Sequence, residues 1–102
     1  MHHTIVSGSK EYVLVNVGDR LEDVTDLTPL TPTFTVYDKE DTPMQVDVPA
    51  DVDADDNLIA KCLVDTATPT PWASNEYRLF LTLHASPEQP VLGPVPFMVE
   101  EV

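Results

Sequence analysis

The chain has little of what enzymes and nucleic-acid-binding proteins rely on. Of its 102 residues one is cysteine, Cys62, three are glycine, Gly8, Gly18 and Gly93, and five are basic, Lys10, Arg20, Lys39, Lys61 and Arg78. A single cysteine excludes an intrachain disulfide and a thiolate zinc cluster built from this chain alone. Three glycines so far apart write neither a phosphate-cradling loop nor a dinucleotide fingerprint, so no cofactor is expected. Five scattered cations stand against 18 Asp and Glu, for a formal net charge of -13 at pH 7. Nucleic acids bind through clustered Lys and Arg that displace counterions, so neither they nor an anionic membrane surface are expected as partners. No run approaches the roughly 18 apolar residues of a membrane span. The opening residues Met1, His2, His3 and Thr4 carry no basic and apolar leader regions, and the expectation is a chain made and kept in a reducing cytoplasm.

Histidine is also scarce. His84 is the only one in the body of the chain, so nucleophilic catalysis has one candidate base and no evident nucleophile beside it. His84 reads as a solvated group at a strand end, and Cys62, in mid-strand on an apolar face, as a small core residue. His2 and His3 read as a free tail. No small-molecule substrate and no enzymatic activity are expected.

What is present is proline and alternation. Ten prolines between Pro29 and Pro96 leave no room for a long amphipathic helix, because an internal proline costs a helix about 3 kcal/mol. Between them lie short segments of period-two patterning, each a strand with one buried face. Glu11 to Val17 puts Val13, Val15 and Val17 on one side. Thr33 to Tyr37 turns Phe34 and Val36 inward and, after the polar turn Asp38 to Asp41, returns with Met44, Val46 and Val48 on one face. Leu58 to Val64 aligns Leu58, Ala60, Cys62 and Val64, with Lys61 opposite. Glu76 to His84 lines up Tyr77, Leu79, Leu81 and Leu83, while Phe80 on the other side hints at a second covered surface. Val95 to Glu101 follows Gly93 and Pro94 and presents Val95, Phe97 and Val99. A short strand around Leu21 to Asp26 would make about seven antiparallel strands, the pattern of a single all-β sandwich domain spanning residues 11–102. Phe34, Val36, Cys62, Val64, Leu79, Leu81 and Phe97 are its expected inter-sheet core, and residues 1–10 read as a flexible arm.

One stretch begins like a metal site. Asp51, Asp53 and Asp55, with Asp56 and Asn57, open as the D-x-D-x-D of a calcium loop but then depart from it. A helical calcium loop wants glycine sixth and glutamate twelfth, where this chain has Asp56 and Cys62. The simpler reading is a solvated turn in which Asp and Asn bond their own backbone.

Glu76-Tyr77-Arg78-Leu79, after the turn at Trp72 to Asn75, resembles the start of strand F in an immunoglobulin-like domain, with Tyr77 as the tyrosine that bonds back to the preceding turn. Val17-Gly-Asp19, Asp26-Leu-Thr28 and Pro32-Thr-Phe34-Thr-Val36-Tyr-Asp38 together resemble the immunoglobulin-like virion modules of tailed bacteriophages, such as the N-terminal domain of siphophage baseplate upper proteins. Asn75 stands where that pattern has glycine before its Y-R pair. The resemblance spans roughly residues 15–100. It implies an immunoglobulin-like β-sandwich, no catalytic residues, and a place in a virion as a capsid decoration or minor capsid protein, or else as a head-to-tail connector or a tail or baseplate part.

The expected partners are therefore other virion proteins, capsid or tail subunits, met in many copies on a particle. Ile5 and Val6, with Lys10, make the start of the chain its least repulsive part, suited to adding a strand to a neighbour's sheet edge. Trp72 is a further contact candidate. An alternative of another class is a carbohydrate- or host-surface-binding module that stacks sugars on Trp72 and Tyr77 and holds calcium at Asp51, Asp53 and Asp55.

Overall fold

Period-two alternation interrupted by proline and acidic turns gives strands and only single-turn helices. The computed structural model describes residues 3–21, 24–68, 70–84 and 89–101. Among them are eight strands: β1 (His3–Val6), β2 (Lys10–Asn16), β3 (Thr33–Tyr37), β4 (Pro43–Pro49), β5 (Asp51–Val52), β6 (Ile59–Asp65), β7 (Asn75–Thr82) and β8 (Val91–Glu100). Two short 3₁₀ turns lie at Val17–Asp19 and Thr28–Leu30. One sheet has five strands in the order β1-β8-β7-β3-β4, and the other has three in the order β2-β6-β5. All pairings are antiparallel except β1 with β8, which is parallel and sets Ile5 opposite Val99.

The core lies between the sheets and follows the alternation. Val13 and Val15 of β2 and Ala60, Cys62 and Val64 of β6 face Phe34 and Val36 of β3, Tyr77, Leu79 and Leu81 of β7, and Phe97 and Val99 of β8, all buried. All seven residues expected in the inter-sheet core are there. The facing expected for β2, β3, β6 and β7 is the one observed. The Tyr77 hydroxyl reaches back to the preceding turn and donates to the Ala73 carbonyl at 2.8 Å.

Elsewhere the structure corrects the sequence reading. Of the arm expected over residues 1–10, the described part, 3–10, is not apart from the domain. β1 pairs along β8, Ile5 is completely buried, and Lys10 already belongs to β2. Burying an isoleucine is worth about 1.5 to 3 kcal/mol, enough to hold a four-residue strand that backbone pairing also supports. Val46 does not share a face with Met44 and Val48. Phe34 pairs with Val48 but Val36 with Gln45, so β4 carries an extra residue, a bulge that turns Val46 out to solvent. β8 starts at Val91, before the expected Val95, and passes through its own irregularity at Gly93 and Pro94. Gly93 has φ 142°, and a Cβ there would stand 2.8 Å from the Leu79 carbonyl oxygen, so no other residue fits without displacing β7. Leu21 and Val24 to Asp26 form no strand, and Glu22 and Asp23 lie outside the described residues, as do Met1 and His2. The Asp26 carboxylate accepts the Thr28 N–H at 2.9 Å, which turns the chain and lets Leu27 enter the core.

Candidate functional site

Most strand side chains that do not face the core face solvent, and on the five-stranded sheet they form a shallow depression of about 510 Å³. Its floor is Thr35 and Tyr37 from β3, Phe80 and Thr82 from β7, and Val91 from β8, while Asp41 and Asp47 stand on the β4 side. These floor residues are the outward positions of their strands, set side by side by the pairs Thr35 with Phe80 and Thr82 with Val91. Phe80, whose place opposite the core-facing leucines hinted at a second covered surface, is half-buried here. Its ring meets that of Tyr37 edge-on, with centroids 5.7 Å apart. Val91 is 59% exposed.

The two carboxylates are placed by backbone irregularities. In the β3–β4 turn the Asp38 carboxylate accepts the N–H groups of Glu40 and Thr42 at 2.8 and 2.9 Å, and Asp41 adopts φ 66°. Arg78, on the outer face of β7, forms an ion pair with Asp41 and donates to the Asp38 carbonyl at 3.2 Å, binding the turn to the sheet. Asp47 has φ 49° in the β4 bulge, and its N–H donates to the Thr35 hydroxyl at 3.1 Å. Left-handed φ is uncommon for residues with a side chain, though Asp tolerates it better than most. Patterning could not reveal this site, since it shows that Thr35, Tyr37, Phe80 and Thr82 point outward but not that a bulge and a turn bring Asp47 and Asp41 beside them.

The residues singled out from the sequence are not gathered into one place. Ile5, beside β8 in the sheet, is buried in the core and cannot present itself to a partner, whereas Val6, next in the strand, is 45% exposed. Trp72 is inside the core, its indole N–H donating to the Thr68 carbonyl at 3.0 Å and its ring 5.0 Å from that of Tyr77. Neither aromatic can serve as a stacking platform for a sugar, because both spend their faces on core packing. Asp51 lies in β5 opposite Lys61. The Asp53 carboxylate accepts the Asp55 N–H at 3.1 Å and the Asp56 carboxylate that of Leu58 at 3.0 Å. The acidic loop thus uses its carboxylates to shape turns, and among the described residues no three His, Cys, Asp or Glu side chains are placed to hold a metal ion together.

Cys62 is wholly buried, and desolvation pushes its thiol up to about 12, which makes it inert near neutrality. His84 is exposed, and its Nε2 lies 2.9 Å from the Thr33 hydroxyl. The outer face of the three-stranded sheet shows Tyr12, Leu14 and Leu63, with the Lys61 ammonium 4.7 Å from the centre of the Tyr12 ring.

No family model, curated protein or solved structure matches the chain.

Proposed function

We propose that the chain is an immunoglobulin-like β-sandwich that serves as a non-enzymatic structural module of a tailed-phage virion, docking on neighbouring virion proteins as a capsid decoration. The observation that carries the fold part is the strand order. β2-β6-β5 against β8-β7-β3-β4 has the arrangement B-E-D against G-F-C-C′, with β1 joining the second sheet beside β8. The bond from Tyr77, near the start of β7, to the Ala73 carbonyl takes the place of the tyrosine corner at strand F. The cysteine pair and strand-C tryptophan of antibody domains have no counterparts, and Phe34 and Val36 fill the inward positions of β3.

The virion part rests on the likeness of Val17-Gly-Asp19, Asp26-Leu-Thr28 and Pro32 to Asp38 to phage modules, and on charge. At -13 a small domain can coat a particle without adhering to released DNA, whereas packing with the genome would be electrostatically costly. Density-purified particles of the phage that encodes the chain provide the test. Mass spectrometry should find it there in many copies, and antibody labelling should decorate heads. Absence from particles rejects the virion reading, and labelling confined to tails replaces the decoration with a tail component.

A further inference from the structure

We propose that the depression on the outer face of the five-stranded sheet binds an extended segment of a partner protein, one with a lysine or arginine at one end and an apolar residue about four positions away. This rests on reading the chain as a docking module and names the surface and the chemistry of its occupant. The floor is apolar where Phe80 meets Tyr37 and where Val91 stands more than half exposed. An aliphatic side chain laid there expels water from surface that none of the described residues covers. The charge is confined to the opposite end, where Asp41 and Asp47 rise from the β3–β4 turn and the β4 bulge. Arg78 offsets Asp41, but among the described residues Asp47 has no cationic partner.

A carboxylate beside an aromatic pair is the setting for an ammonium or guanidinium, which gains a charge-assisted hydrogen bond from one and a cation–π contact from the other. The span supplies the spacing. From β8 to β4 the depression crosses three interstrand gaps of about 4.8 Å, roughly 14 Å, a distance an extended chain covers in about four residues. The net charge of -13 draws a cationic segment towards the molecule from any direction, and the depression gives it one place to lodge its stem.

Titration of the ¹⁵N-labelled full chain with the blocked peptide acetyl-Leu-Thr-Ser-Thr-Lys-amide, followed by amide chemical shifts, tests this. Saturable shifts are expected at Thr35, Tyr37, Asp47, Phe80, Thr82 and Val91, weakening as ionic strength rises. Asp47→Asn, which keeps a residue tolerant of positive φ, should bind several-fold more weakly with its spectrum otherwise intact, and Val91→Ser should weaken binding from the other end. The same peptide ending in glutamate should leave the spectrum unchanged. No saturable shift, shifts centred on another face, equal binding by Asp47→Asn, or equal binding of the glutamate peptide would each overturn the proposal. Should the peptide fail while the chain is still found on particles, the depression loses its role and the docking-module reading stands. Should the peptide bind as described by a chain absent from particles, the site stands and the virion reading falls.

Discussion

The Thr66 hydroxyl donates to the Ser9 carbonyl at 2.7 Å, closing a clasp between the β1–β2 turn and the loop that follows β6. The same oxygen accepts the Gly8 N–H at 2.9 Å, and Trp72 donates its backbone N–H to the Thr66 carbonyl at 2.8 Å. Thr66 is the one polar side chain fully buried among the described residues, and it is buried with its bonds made.

Thr66→Val keeps the shape and removes the clasp, leaving the Gly8 N–H without its partner. Gly8 is exposed and water can reach its N–H, so a loss of about 1 kcal/mol, the net worth of such a bond, is expected in urea denaturation. Amide exchange at Ile5 should quicken as well, because β1 is held through this turn. A change below about 0.5 kcal/mol with Ile5 exchange unaltered would show that pairing with β8 alone secures the strand.

Tyr77→Phe deletes the hydroxyl that reaches Ala73 and leaves the ring stacked near Phe97, centroids 5.9 Å apart. The expected destabilisation is about 1 kcal/mol or more, measured by thermal or chemical unfolding. A neutral substitution counts against the corner as a structural device and against the immunoglobulin-like assignment with it.

Burial raises the Cys62 thiol from an ordinary value of 9.0 to about 12, and the Tyr77 hydroxyl is raised as well, first by burial and then by the charges of Asp38 and Glu101. A group whose folded pKa is raised stabilises fully below its unfolded pKa and loses that contribution as pH climbs towards the folded value. Stability should thus decline from about pH 9 upwards, and Cys62 should react with a disulfide reagent at pH 8 only on unfolding. Rapid labelling of the native chain would sink this picture. At the acid end Asp65 has the opposite sign. The Ala67 N–H and then the Thr68 hydroxyl lower its pKa, so its contribution fades as pH falls through that depressed value.

The inward faces of β2, β3, β6 and β7 and the core position of Cys62 were legible in the sequence, because a strand buried on one side must alternate and a single misplaced residue would expose the whole set, whereas the backward bond of Tyr77 was expected only from the resemblance of Glu76 to Leu79 to an immunoglobulin-like strand F. The strand His3–Val6 was not, since four residues are too few for a period and its only apolar anchor, Ile5, is recognisable as core only once β8 lies beside it. Trp72 looked like a contact for a partner until the fold turned it inward onto Tyr77. The depression depends on three separate strands and on a bulge at Asp47 that breaks the very alternation used to read the rest. Local patterning determines which way each side chain points relative to its own strand. Which outward side chains become neighbours is settled by the order and register of strands far apart in the chain, and that is a property of the folded sheet alone.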